Sequence, residues 1–212
     1  MNLFRLIADL MHLASFFILL AKMRKTRSAA GISFKSQALY LAVFVARYID
    51  LFYSFVSLYN TAMKITFIGC TAYALYLMKT TYRATWDPAL DTFPVHYLVA
   101  GASVMTVLFH TKRTVPEILW TFSIWLEAVA IMPQLHQLSK TGSAETITTH
   151  YLFALGAYRG LYLVNWIWRY VTENHWEWIP VIAGVVQTGL YADFFYIYVT
   201  RVLRGKKFEL PL

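Results

Sequence analysis

Long apolar runs separated by short polar breaks make up the chain. They predict seven spans, over about 2–21, 37–55, 62–79, 94–110, 116–137, 148–170 and 178–202. Each is long enough, or nearly so, to cross a hydrocarbon layer of about 30 Å. The breaks carry turn and charge signals: KMRKTRSAAG (22–31), WDPALD (86–91), HTKRTVP (110–116), SKTGSAE (139–145) and TENHWEW (172–178). The run TTHYLFALGAYRGLYLVNWIWRY (148–170) stands apart, because it is apolar and aromatic yet holds Arg159 in its middle and Arg169 at its end. An arginine at the centre of a spanning helix costs roughly 2.5–3.5 kcal/mol on insertion scales, so it needs partners inside the protein or in a wet cavity. On a helix, Tyr158, Tyr162, Asn165 and Arg169 share one face, with Arg159 and Trp166 about a quarter-turn away.

Composition turns this pattern into an all-α integral membrane domain. The chain is 58% hydrophobic and only 14% charged, too little polar surface for a water-soluble globule of 212 residues. The net charge of +8 then reads as basic connections on one side of a bilayer and excludes nucleic acid as the natural partner. With alternating spans, Lys22, Arg24, Lys25, Arg27 and Lys35 share a side with Lys79, Arg83, Lys140, Arg201, Arg204, Lys206 and Lys207. The other side holds only Lys64, Lys112 and Arg113. The N-terminus is therefore expected to be lumenal and the C-terminus cytosolic. MNLFRLIADL has no basic region before an uninterrupted apolar core, and no small-residue cleavage site, so it reads as the start of a retained first span. Cys70 is the single cysteine, which leaves no disulfide framework, zinc spacing or cysteine nucleophile. No metal-ligand set, nucleophile triad or phosphate loop is visible, so the expectation is a non-enzyme without a cofactor.

An internal repeat organises the spans. KTRSAAGIS (25–33) matches KTGSAETIT (140–148), with Lys25/Lys140, Thr26/Thr141, Ser28/Ser143, Ala29/Ala144 and Ile32/Ile147 identical. The predicted architecture is two parallel three-helix repeats joined by a linking helix, as in SWEET and PQ-loop transporters. Repeat one covers about 1–79, the linking helix about 94–110 and repeat two about 116–202, with a cytosolic tail over 203–212.

The repeat also puts the costly polar residues in register: His12 with Glu127, Asp50 with Asn165, and Ser54 with Arg169. Arg5, Asp9 and His12 share one helical face, and Arg47, Asp50 and Ser54 share another; Glu117, Trp120 and Glu127 line one side of span five. Internal pairs of Arg5 with Asp9 and Arg47 with Asp50 would account for part of the set. The whole exceeds what packing requires, since buried ion pairs rarely stabilise more than apolar residues of the same volume. Several arginines call for a ligand with several anionic groups, because arginine binds carboxylate through two parallel hydrogen bonds and keeps its charge on burial. Glu117 and Asp50 offer a place for one cation, so a zwitterionic peptide fits. Trp120, Trp166, Tyr48 and Tyr162 are candidate walls and phenol donors. His12 is the buried-looking group that titrates near physiological pH, and with Glu127 and Tyr158 it forms a candidate proton switch. His96, His110, His136, His150 and His175 lie at span ends or in loops and read as solvated. Pro133–Gln134 either hinges span five or ends it. Arg204, Lys206 and Lys207 form either a positive-inside flank that contacts anionic lipid or a sorting signal read by a coat. The competing reading is a small-solute transporter of the same architecture, although a neutral sugar would not need three arginines and their acidic partners.

The strings MNLFRL, KTRSAAGIS with KSQ, RYIDLF, SFVSLYNT, EILWTFSIWLEAVAIMPQL, SKTGSAETITTHYLFALGAYRGLYLVNWIWR and AGVVQTGLYADFFYIY carry a resemblance. By these strings the chain resembles the KDEL receptors, or endoplasmic reticulum lumen protein-retaining receptors, essentially from end to end. The resemblance implies a receptor that binds C-terminal Lys-Asp-Glu-Leu or His-Asp-Glu-Leu signals of escaped lumenal proteins in the acidic Golgi. Return is in COPI vesicles, with release in the endoplasmic reticulum, so those three membranes are the implied locations. It further implies that Arg47 and Tyr48 take the signal's C-terminal carboxylate, Arg5 and Arg169 its acidic side chains, and Asp50 and Glu117 its basic one. Trp120 and Trp166 shape the pocket, and Arg159, Tyr162 and Asn165 lie on the signal-binding stretch. His12 senses pH with Glu127 and Tyr158, the proton being an allosteric ligand. Ser54 and Asp193 match positions implicated in binding or return, and Arg204, Lys206 and Lys207 match the tail that engages the coat. The departures lie mainly in 80–113 and in the final FELPL.

Overall fold

The computed structural model describes residues 2–144, 146–174 and 176–209. The expectation for His175 and the last residues of FELPL lie outside the described residues. The described chain is nearly all helix: α1 (Leu3–Thr26), α2 (Phe34–Arg47), α3 (Leu58–Lys79), α4 (Val95–Leu108), α5 (Val115–Val129), α6 (Met132–Thr141), α7 (Thr146–Glu173), α8 (Trp178–Leu190) and α9 (Ala192–Thr200). By length and composition α1, α3 and the stretch Val115–Thr141 can cross a membrane, and α8 with the following segment can do so as one bent span. Large apolar side chains such as Val107, Ile167, Val171 and Tyr196 stay exposed, as a lipid-facing surface requires.

Three spans differ from expectation, each for a local reason. The stretch 37–55 is not one helix. α2 stops at Arg47, and Ile49–Phe52 tighten into a 3₁₀ turn in which the Asp50 carbonyl accepts from the N–H groups of Tyr53 and Ser54. Span five breaks after α5. Pro133 lacks an N–H, and its ring would clash with the carbonyl of Val129 four residues back, so a new helix starts at Met132 with the proline in its first turn. The last span bends by 47° at Tyr191. The basic residues also move. Lys22, expected in a loop, is buried in the last turns of α1, and Lys64, expected on the sparsely charged side, is buried within α3.

The chain forms two compact units, Met1–Arg27 with Leu138–Leu212 and Ser28–Gln137. In the first, α1 packs along α7, and α8 and α9 pack on α7. Glycines set the approach: a Cβ on Gly184 would lie 2.7 Å from the Trp166 ring, and one on Gly156 would lie 2.6 Å from the Tyr191 ring. Small residues at such crossings are how membrane helices come close. Two short strands, β1 (Ser143–Ala144) and β2 (Phe208–Glu209), pair antiparallel and fasten the C-terminal segment, with Phe208 buried against Phe194.

In the second unit α2 packs on α3 and α5, and α4 on α5. Gln134 closes this unit. Its Oε1 accepts from Ser33 N–H at 2.8 Å, its Nε2 donates to the Gly31 carbonyl at 2.9 Å, and its own N–H donates to Ser36 Oγ at 3.0 Å. Ser33 Oγ, which caps α2, donates to Asp91 at 2.7 Å. Gln134 thus ties the start of α6 to the start of α2.

Gln134→Leu keeps the volume and strands a buried N–H and a carbonyl. We expect it to lower stability by about 2–4 kcal/mol, read as a drop in the thermal unfolding midpoint of the detergent-solubilised protein; an unchanged midpoint would show that the clamp is dispensable.

Candidate signal-binding site

The candidate residues fall into two sets, one in each unit. In the first, α1 and α7 run antiparallel, and the residue pairs step accordingly. Phe4 meets Trp168, the Tyr162 hydroxyl donates to the Asp9 carboxylate, and His12 stacks on Tyr158. The His12 and Tyr158 rings lie parallel, 3.9 Å between centroids, and both are buried. Gln187 of α8 approaches the Tyr158 hydroxyl at 3.5 Å. Asp9 therefore has a partner on another helix, the phenol of Tyr162, a contact the sequence did not reveal.

Arg159 is 5% exposed, and three rings of its own helix surround its guanidinium: Tyr158 at 5.2 Å, Tyr162 at 5.9 Å and Trp166 at 6.0 Å. Aromatic faces hold a desolvated cation well, which explains how this residue persists inside the helix. Asn165 is buried, whereas Arg5 is exposed in the first turn of α1. Arg169 is half-buried, and its Nε donates to Glu173 at 2.8 Å. Such an exposed i,i+4 pair is worth roughly 0.3–0.5 kcal/mol, so a competing carboxylate can displace it. Asp193 is exposed in the first turn of α9, and Arg204, Lys206 and Lys207 are exposed beyond it.

The second set is built on an ion pair. Arg47, at the end of α2, lies 2.6 Å from the fully buried carboxylate of Glu127 on α5, and its Nε donates to Ser123 at 3.0 Å. Asp50, on the 3₁₀ turn, pairs with Lys64 of α3 at 2.6 Å. The expected Arg47–Asp50 pair is thus replaced by two others. The turn after Arg47 carries Asp50 to α3, and a carboxylate one turn short of Ala130 takes the arginine. Asp50 Oδ1 is buried and has no donor among the described residues. Tyr48 stacks on Phe44 and lies 5.8 Å below the Lys64 ammonium. Glu117 and Trp120 are half-buried in the first turns of α5, and Ser54 is exposed after the 3₁₀ turn. Lys64 and Ser123 escaped the sequence reading; Lys64 was detectable only as a cation inside an apolar run. Among the described residues no three of His, Cys, Asp and Glu gather as a metal site would need.

The sequence that carries both sets matches a known family. The family model described as the ER lumen protein retaining receptor matches residues 28–169. The chain belongs to the ER lumen protein-retaining receptor family. It is 58% identical over 211 residues to proteins named ER lumen protein-retaining receptor 2 from Gallus gallus and Homo sapiens, and 57% identical to that of Danio rerio. Each comparison covers all of this chain and all of its relative. As a member of this receptor family the protein keeps its charges where spanning helices would ordinarily exclude them.

Lys64→Met leaves the Asp50 carboxylate without its cation. Because Asp50 is a third exposed, the expected loss is about 1–2 kcal/mol, restored in the double variant with Asp50→Asn. Thermal unfolding of the three variants reads this out, and additive losses would deny that the two residues are coupled.

Proposed function

We infer that the protein is a receptor for the C-terminal Lys-Asp-Glu-Leu or His-Asp-Glu-Leu retrieval signal of lumenal proteins, and that it binds the signal more tightly at acidic pH. The observation that carries this is Arg47, held by Ser123 and Glu127 with further N–H groups to spare. A guanidinium fixed on two sides is preorganised for a second carboxylate, and bidentate recognition of the signal's C-terminus follows. Tyr48 assists at the same end of α2. Asp50, whose buried Oδ1 has no donor among the described residues, serves the signal's basic side chain with Glu117. Arg5 and Arg169 take its acidic side chains; the weak Glu173 contact of Arg169 exchanges easily for them. Trp120, Trp166, Tyr162, Asn165 and Arg159 shape and support the site, and Ser54 lies at its edge.

The proton binds at His12, which acts with Tyr158 and Glu127. A neutral imidazole stacked on a phenol in a buried site becomes a cation when protonated. The added positive charge raises affinity for an acidic peptide, so capture belongs to the acidic Golgi and release to the near-neutral endoplasmic reticulum. Asp193 and the exposed Arg204, Lys206 and Lys207 serve return, the basic residues by contacting the COPI coat.

In this reading seven spans form two three-helix repeats joined by α4, with the N-terminus lumenal and the C-terminus cytosolic. Support comes from the repeated loop. Arg27 and Gly142 occupy corresponding places in the two copies. Both follow a helix, both take a left-handed conformation, and each donates its N–H to the carbonyl four residues back. A small-solute transporter is less favoured, because a neutral solute uses none of these charges.

Binding of a labelled Lys-Asp-Glu-Leu tetrapeptide to the purified receptor should be at least about tenfold tighter near pH 5.5 than near pH 7.4, and amidation of the peptide's C-terminus should abolish it. His12→Ala should flatten this pH dependence. Equal binding at both pH values would overturn the switch, and solute flux in liposomes without peptide binding would favour the transporter.

A further inference from the structure

A cleft of about 410 Å³ opens within the Ser28–Gln137 unit, lined by Phe34, Met78, Lys79, Arg83 and Trp86. None of these residues belongs to the signal-binding sets. Phe34 is the first residue of α2, and Lys79 is the last of α3. The chain then turns, and the 3₁₀ segment Arg83–Thr85 brings Arg83 and Trp86 to the same mouth. The lining is asymmetric in chemistry. Met78 is fully buried and Phe34 packs on Trp86 at 5.5 Å, giving an apolar wall. The polar groups are all donors: the Lys79 ammonium, 6.0 Å from the Phe34 ring, the Arg83 guanidinium, and the Trp86 indole N–H.

Three features show that these donors await a ligand. Lys79 and Arg83 are exposed and pair with no carboxylate among the described residues. The Trp86 Nε1–H is buried and has no acceptor among the described residues. The acid nearest in sequence, Asp87, is exposed and already accepts the Ala89 N–H at 2.8 Å. Two cations and one buried N–H around an apolar cleft call for an anion that carries hydrocarbon. α3 is long and apolar enough to cross a membrane, so its final residue, Lys79, lies at the membrane surface, with Tyr76 exposed one turn before it. Phospholipid is the anion with hydrocarbon available there.

We propose that this cleft binds the phosphate headgroup of an anionic phospholipid. Lys79, Arg83 and the Trp86 N–H hold the phosphate oxygens, and an acyl chain follows Phe34 onto the surface of α3. A free phosphate would use the donors and leave the apolar wall empty. A zwitterionic lipid would bring its own cation against Lys79 and Arg83.

Native mass spectrometry of the full-length receptor in detergent tests this, with phosphatidic acid and phosphatidylcholine of identical chains as probes. One phosphatidic acid should be retained per receptor, roughly tenfold in preference to phosphatidylcholine, as two basic groups at a membrane surface would give. The Lys79→Ala/Arg83→Ala variant should bind both lipids equally while keeping its thermal unfolding midpoint, since both side chains are exposed. Trp86→Phe keeps the ring, removes the N–H, and should lower phosphatidic acid retention about threefold; if the double variant fails to fold, this variant decides alone. Equal retention of the two lipids by the wild type, or undiminished retention in the variants, would overturn the proposal. So would displacement of the lipid by soluble glycerol 3-phosphate at equal concentration, or by an acidic peptide.

Discussion

A polar group buried in an apolar helix must find its partner on a neighbouring element, and this requirement sets the register between α1 and α7. Phe4 with Trp168, Asp9 with Tyr162 and His12 with Tyr158 form one antiparallel series. Sliding either helix by one residue would break the carboxylate–phenol hydrogen bond and unstack the imidazole together. Apolar packing alone tolerates such slips, because leucines and valines are interchangeable along a lipid-facing stripe. The polar series therefore supplies specificity, and α8 inherits it: Gly184 allows Trp166 to pack close, and Trp166 in turn faces Arg159.

The same requirement acts differently in the Ser28–Gln137 unit, where the partners are fully charged. A buried ion pair contributes little net stability, yet removing one member is costly because the other charge remains. Arg47–Glu127 and Asp50–Lys64 are therefore better understood as devices that hold charge ready than as sources of stability. Each leaves capacity unused: further N–H groups on Arg47 and one bare oxygen on Asp50. Long side chains that are already fixed lose little entropy on meeting a further charged group.

Much of this was legible in the residues, for a physical reason. A charge in an apolar run is so unfavourable that Arg159, Glu127 or Asp50 announces a buried polar site by its presence. α3 and α4 fell close to their expected limits because their ends carry clear signals, Ser57 before α3 and Pro94 before α4. Less visible were interruptions shorter than one helical turn. The break at Ala130–Ile131 and the bend at Tyr191 lie inside continuous hydrophobicity, where a polarity pattern has nothing to register. Partner choice was equally hidden. Lys64 reads as a cation inside an apolar run until the 3₁₀ turn brings Asp50 to it, and no pattern along the chain joins Asp9 to Tyr162 of α7. The roles of individual residues toward a signal came from the family resemblance, and periodicity alone would have left them as an unassigned polar face.

The C-terminal segment ties these points to one element. Its basic residues do not hang from a free tail: Gly205 turns the chain back with a left-handed conformation, β2 pairs with β1, and Phe208 is buried against Phe194. Arg201 reaches Glu209 at 3.6 Å across the same fold-back. β1 immediately precedes α7, the helix that also carries Tyr158, Arg159, Tyr162 and Arg169. About twelve residues, roughly 18 Å of helix, separate the start of α7 from the ring stacked on His12. One continuous helix therefore holds the ring stacked on His12 along its length and adjoins the strand that fastens the tail at its start. A continuous helix moves along its axis as a unit, so its first turn and the ring stacked on His12 are fixed to one another.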